Sequence, residues 1–598
     1  MEVEPLDVCH LHQLGNQYSP SCKPDYAAVC ISHLQHIMLL STFIVATIPS
    51  SSVSSSASSF EWICSTEAAP WRNYTANASL RTAPLCTPQP HTNCHGGKDL
   101  SMSRAPTTAA ACCAYCGTVA GCAAWTFDTT ASHVPFCYAK TACPTPDTTD
   151  PNTVSGFGQP APPTPAPPVS LHINTSDVRQ TMEGFGGCFN EKGWDALTAL
   201  SPTDRLAVLE ALFSMETGLK YGLNRMPIGS SDFADGYYSL CDGECEGDYG
   251  MTNLSLARDH TKLIPYIQAA MAVQPGLRLW GSPWTGPEWL KDSGKYGCGS
   301  LRTDNRSRTA YALYLARAAK AYRAAGLQFE ALAIQNEPNQ GTVWTKEHGC
   351  TNSYPKMHWT GEQLRVFLRD YLGPIFEAEG TGMRVNERLC LKAIMTELCT
   401  YFDSIILLLG IAETVGIFLA TFPVNDFTGY VLPTLNDSAA SKFLTGIGLQ
   451  YAGVGMIEEI NAMAPQLKTW ETETPCGNGQ NDWKYGEAQF DSMINFLSAG
   501  ATVYSQWNMV LDSSGKSGWG WSQSAPVTVD IVKKKATLNP SYYATKHFSF
   551  FITPGAKRVG VTSSQQTKST AMAFKLSTSD EIVVVLSNPE DDSVVVQI

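Results

Sequence analysis

Two glutamates stand where this chain could carry out acid–base and nucleophilic chemistry. Asn336-Glu337-Pro338 closes the apolar stretch FEALAIQ, and Glu473 closes LKTWET. Cleaving a glycosidic bond needs two carboxylates facing each other across it, one held neutral and the other ionised. A single glutamate after a strand is more often a helix cap or a surface charge. Two such ends, each flanked by Trp, Asn or Gly, make the pair the candidate site. Glu471 shares a face with Glu473 by period-two alternation but lies further back along the strand, so Glu473 is the tip residue.

Both carboxylates must be delivered by rigid elements. LRLWGSPW (277–284), FEALAIQNEP (329–338), LKTWETET (467–474) and TVYSQWNMVL (502–511) read as strands. SRTAYALYLARAAKAYRAAG between them has apolar residues three and four apart and reads as a helix. This alternation continues over most of the chain after residue 170. It predicts an α/β fold, a (β/α)8 barrel over 183–550, in which strand tips at one rim carry the chemistry. No GxGxxG or GxxxxGK[ST] opens a helix, so nucleotide-binding versions of an α/β sheet lose ground. After about Pro554 short alternating runs such as EIVVVLSNPEDDSVVVQI predict a small β-domain over 551–598, with final strands missing. Residues 384–413 are strongly apolar and lack turn residues. They read as a buried helix or as translated intron sequence, and the latter fits their excess length better.

The rest of the chain is of a different kind. Of 20 cysteines, twelve lie in residues 1–143, and none forms paired CxxC units with histidine spacing. A zinc ribbon is therefore a poor reading and disulfides in an oxidising compartment a better one. Six sequons, at Asn73, Asn77, Asn174, Asn253, Asn305 and Asn436, agree with secretion. Residues 37–48, IMLLSTFIVATI, have the length of a signal-peptide core, which places a signal peptide at 38–58 and makes 1–37 a non-native extension before Met38. A signal-anchored membrane protein is the rival. A Cys-dense unit at 84–143 is too small to hold together without staples. Residues 144–169 are Pro/Thr-rich and read as a semi-rigid linker. The net charge of -13 argues against a nucleic-acid partner, which would need clustered Lys and Arg.

Seven blocks in order carry a resemblance: EGFGGCFNEKGW (183–194), LNRMPIGSSDFA (223–234), WGSPWTGPEWLKDSG (280–294), AIQNEPNQG (333–341), GIGLQYAG (446–453), TETPCGNGQNDWKYGE (472–487) and YSQWNMVLD (504–512). Together they resemble glycoside hydrolase family 30, the group of glucosylceramidases and endo-β-1,6-glucanases. The resemblance implies a TIM barrel joined to a β-sandwich built from both ends of the catalytic region, here 170–182 and 551–598. It implies a retaining β-glycosidase that needs no metal or cofactor. Glu337 matches the acid/base, Asn336 the contact to the sugar 2-hydroxyl, and Glu473 the nucleophile. Pro475 stands where a second acid often lies. Arg225 matches a partner of Glu473, with a plain structural ion pair as the alternative. Trp284 and Trp507 match walls of the glucose site, with core packing as the alternative. Glu191 lies where glucosylceramidases bind distal glucose hydroxyls through an Asp, and GIGLQYAG departs from animal glucosylceramidases, which implies a changed subsite beyond the glucose.

The implied substrate is glucosylceramide or another β-glucoside, with β-1,6-glucan as the alternative. A non-catalytic glycan-binding protein is the alternative of another class. CCAYCGTVAGCAAWTF followed by FCYAKTAC resembles a PAN/apple module, which implies a glycan or protein ligand, with a disulfide-held spacer as the alternative.

Overall fold

The computed structural model describes residues 169–340, 350, 354–381, 415–563, 570–579, 581–588 and 596–597. Before these it describes 42–49, 60–65, 72–76, 87–90, 93–95, 99–103, 108–119, 122, 124–129, 136–140, 145–147 and 152–157.

Eight parallel strands close a barrel: β1 Gly184–Cys188, β2 Leu223–Ile228, β3 Arg278–Pro283, β4 Phe329–Ala333, β5 Gly416–Phe422, β6 Leu444–Gln450, β7 Lys468–Glu473 and β8 Val503–Asn508. The bore is packed by Leu223, Trp280, Ala331, Ala333, Phe418, Trp470 and Val503. Phe418 lies 4.2 Å from Trp470, and the Trp280 and Trp470 rings meet edge to face at 6.0 Å. Rings this large from β3, β5 and β7 fill a bore to which β1 contributes mostly glycine. At Gly186 a Cβ would sit 1.8 Å from the Leu223 carbonyl oxygen, so only glycine lets β1 lie against β2. The expected helix is Asn305–Ala324, capped by Asp304, and it buries Tyr311, Leu315, Ala318 and Tyr322.

Two strand readings change. The stretch 329–338 leaves strand geometry at Ala333, and 502–511 divides into β8 and Val510–Asp512, which pairs outside the barrel with Val527–Asp530. Residues 384–413 lie outside the described residues, yet the barrel closes across them. Ala331 of β4 pairs with Gly416 of β5, and the Val415 N–H donates to the Thr381 carbonyl at 2.8 Å.

Strands from both ends of the catalytic region join one eight-stranded sheet. Val169–Thr181 pairs antiparallel with Lys557–Ser563, followed by Thr570–Lys575 and Glu581–Asn588. Alternation gives that sheet two apolar faces. Met572, Phe574, Val583 and Val585 join the main core, while Leu171, Ile173, Val559, Ala573, Ile582, Val584 and Leu586 form a separate one. Thr42–Pro49, from the run read as a signal peptide, pairs antiparallel with Glu581–Asn588 in the same sheet.

The Cys-dense unit contains a five-stranded sheet and the helix Ala109–Thr118, stapled by Cys112–Cys137 and Cys116–Cys122. Thr153–Phe157, inside the stretch read as linker, belongs to that sheet and pairs with Ala124–Asp128. Two further disulfides, Cys241–Cys245 and Cys298–Cys350, tie rim loops of the barrel.

Candidate active site

Glu337 follows β4 in left-handed backbone, φ 47°, a conformation a non-glycine residue adopts only when its surroundings hold it there. They do so by pinning its own N–H and that of Asn336. The Glu337 N–H donates to the Thr421 carbonyl of β5 at 3.0 Å, and the Asn336 N–H to the Pro283 carbonyl of β3 at 2.8 Å. The side chain then points over the barrel mouth, where Tyr354 Oη donates to Glu337 Oε2 at 3.3 Å.

Glu473, at the tip of β7, is 6% exposed and takes hydrogen bonds from four side chains. Arg225 Nη1 reaches Oε2 at 2.6 Å, Gln450 Nε2 reaches the same oxygen at 3.1 Å, Tyr451 Oη reaches Oε1 at 2.8 Å, and Cys476 Sγ lies 3.7 Å from Oε1. Arg225 is completely buried and also donates to Asn336 Oδ1 and to Ser282 Oγ. Asn336 Oδ1 accepts further from Thr421 Oγ1 at 2.9 Å and Gln450 Nε2 at 3.2 Å. Arg225, Asn336, Gln450 and Glu473 thus form one bonded network drawn from β2, β6, β7 and the end of β4.

The electrostatics separate the two glutamates. Burial, and then the negative charge of Glu473, push the Glu337 carboxyl up to about 8, and the opposing pull of Arg225 does not cancel them. Glu473 instead faces a guanidinium held in a salt bridge. One carboxyl is therefore raised into the neutral range, while its neighbour is bonded to a buried arginine.

Trp284 and Trp507 are both nearly fully buried, with ring centroids 5.0 Å apart, and the Arg225 guanidinium lies 4.4 Å from the first and 5.6 Å from the second. With Cys188, Phe233, Leu511 and Ala525 they form an apolar patch against the network.

Glu191 is placed differently from the expectation. Its carboxylate is used by the Arg258 guanidinium, at 3.1 and 3.0 Å, and by the Asp235 N–H at 2.7 Å. The reason is local, since Glu191 starts the helix Glu191–Thr198 and turns toward the loop after β2. The acid that faces the pair is Asp232, which sequence reasoning missed. It is buried, and desolvation and then the charges of Glu473 and Glu337 drive its carboxyl well above the usual range. Its signal was available, because it follows β2 within the same block as Arg225.

Gln450 and Tyr451 are also corrected in place. Their block was assigned to a subsite beyond the glucose, whereas both side chains bond Glu473 itself. Tyr354 was missed for lack of any local signal, lying far from strand and motif alike. Asp232 Oδ1, Gln450 Oε1 and Trp507 Nε1 are buried without a hydrogen-bond partner in the protein. Orphans of this kind cost about 1–3 kcal/mol each, so their gathering at one mouth suits a ligand rich in hydroxyls.

A parallel barrel whose mouth sets a half-buried glutamate, its carboxyl raised by desolvation, beside an ion-paired one fits a glycoside hydrolase. The chain belongs to glycosyl hydrolase family 30, whose TIM-barrel domain it matches over residues 182–417 and 425–552. It is 29% identical over 408 residues to putative glucosylceramidase 3 of Caenorhabditis elegans, covering 65% of this chain and 70% of that one. It is 28% identical over 437 residues to the lysosomal acid glucosylceramidase of Mus musculus, covering 69% and 76%. A solved endo-β1,6-glucanase shares the fold with a TM-score of 0.57 at 20% identity, covering 78% of this chain and 99% of that one.

Proposed function

We propose that this protein hydrolyses β-glucosidic bonds with retention, by double displacement. Neutral Glu337 gives its proton to the leaving oxygen as the Glu473 carboxylate attacks the anomeric carbon, forming a glucosyl ester. Glu337, now ionised, takes a proton from water, which opens the ester and frees glucose in its original configuration. Arg225 keeps the nucleophile anionic, and Asn336 meets the sugar 2-hydroxyl. Trp284 and Trp507 line the glucose face, and Asp232 offers a carboxyl to the remaining hydroxyls. The observation that carries this reading is the opposite treatment of two adjacent carboxyls, one raised to about 8 and one bonded to a buried arginine. The same pairing weighs against a non-catalytic glycan binder, which has no use for it.

The test is labelling with a mechanism-based β-glucoside epoxide and peptide mapping, together with NMR of the first-formed product. Label on Glu473 and β-glucose first are expected. Label on another residue, or α-glucose first, overturns the assignment.

The glucosylceramidase relatives support a glucosylceramide-like substrate. The leaving-group side of the mouth supports a second reading, a β-1,6-linked glucan. We also infer secretion, which the disulfides and sequons support, and a glycan or protein ligand for the PAN-like module.

A further inference from the structure

We propose that Tyr354 and Trp521 form a platform for a sugar ring on the leaving-group side of the scissile bond, which makes a β-linked glucose oligosaccharide, rather than a lipid glucoside, the preferred substrate. This rests on the double-displacement reading, in which whatever flanks the Glu337 carboxyl on its open side flanks the leaving group. Tyr354 is that neighbour, with its hydroxyl 3.3 Å from Glu337 Oε2. Trp521 meets the Tyr354 ring edge to face, centroids 5.6 Å apart at 80°. It is 37% exposed. An indole left open beside an acid is a surface for the C–H face of a pyranose, which combines an apolar face with a rim of hydroxyls.

The loop that presents Trp521 is already fastened. Ser517 N–H donates to the Trp521 carbonyl at 2.8 Å, Gln523 N–H to the Gly515 carbonyl at 2.9 Å, and Gly518 N–H to the Asp232 carbonyl at 3.2 Å. Asn508 Nδ2, beside Trp507, holds Gln523 Oε1 at 2.8 Å. A ring fixed in this way loses little entropy when a sugar stacks on it. The surroundings of the platform are polar. Lys356 places its ammonium 5.1 Å from the Tyr354 ring centre, and the backbone of Ser522, next to Trp521, pairs with that of Lys516. Paired acyl chains would desolvate these groups without replacing their hydrogen bonds, whereas sugar hydroxyls would replace them.

The experiment compares the full-length protein with Trp521→Ala and Trp521→Phe on three substrates: β-glucosyl fluoride, a β-1,6-linked glucose oligosaccharide, and glucosylceramide in detergent micelles. Fluoride is too small to use a platform, so kcat/KM on it reports the glucose site alone. For Trp521→Ala the ratio of kcat/KM on the oligosaccharide to that on the fluoride should fall about ten-fold or more, with Trp521→Phe recovering part of the loss. Equal loss on both substrates, or no change in the ratio, overturns the platform. A Trp521-dependent preference for glucosylceramide overturns the sugar as its occupant. Failure of the unaltered protein to release fluoride would instead refute the double-displacement reading.

Discussion

At the scale of single residues, Glu337 combines a strained backbone, a desolvated carboxyl and an anionic neighbour. Glu337→Gln keeps the shape and removes the proton, so kcat/KM should fall about 10²- to 10⁴-fold on substrates with poor leaving groups. On an aryl β-glucoside whose leaving group needs no proton the loss should be far smaller, and steady-state kinetics on the two substrates checks it. Arg225 is the other critical side chain. A buried ion pair is weak support for stability, but removing one partner strands the other. Arg225→Met should therefore destabilise the barrel by about 3–5 kcal/mol in denaturant unfolding, and Glu473→Gln in the same background should recover part of it. Glu337 and Glu473 were legible as acids closing strands, whereas Asn336 and Arg225 were legible only through the resemblance of their blocks. The role of Glu191 was carried over from its place in the block, whereas the helix it starts sets where its carboxylate turns.

At the scale of elements, β7 breaks strict alternation. Leu449 of β6 pairs with Glu471, and the next residue, Gln450, pairs with Glu473, which leaves Thr472 as an added residue. Such a bulge re-aims the side chains beyond it. Trp470 fills the bore, Glu471 turns to take the Ser505 N–H of β8 at 2.6 Å, and Glu473 swings to Arg225. The sequence expectation that Glu471 and Glu473 share a face fails for this reason. The segment 384–413 belongs to the same scale. Thr381 and Val415 are hydrogen-bonded to each other, so the short link left by deleting 384–413 needs only to make a turn. The deletion should leave the melting temperature within a few degrees and the epoxide labelling intact. A deletion variant that cannot fold would show that the segment supports the barrel.

At the scale of the molecule, the buried acids impose a pH dependence. Glu337 is raised to about 8, and Asp232 and Glu471 are raised by burial as well. The folded state thus holds protons that the unfolded chain releases at about pH 4. The Glu337 contribution is complete below that pH and is lost as pH climbs through about 8, and those of Asp232 and Glu471 change in the same direction. Thermal unfolding from pH 5 to 9 should show a falling midpoint, with a shallower slope for Glu337→Gln; a midpoint rising toward pH 8 would contradict it. Apolar periodicity, strand-end acids and cysteine density are local signals, so the barrel, the two glutamates and the stapled N-terminal unit could be read along the chain. Folding in three dimensions added that Asp232 and not Glu191 faces the pair, that Gln450 and Tyr451 bond Glu473, and that Tyr354 bonds Glu337 and packs against Trp521. Those assignments depend on loops from different strands meeting over one mouth, which no spacing between residues encodes.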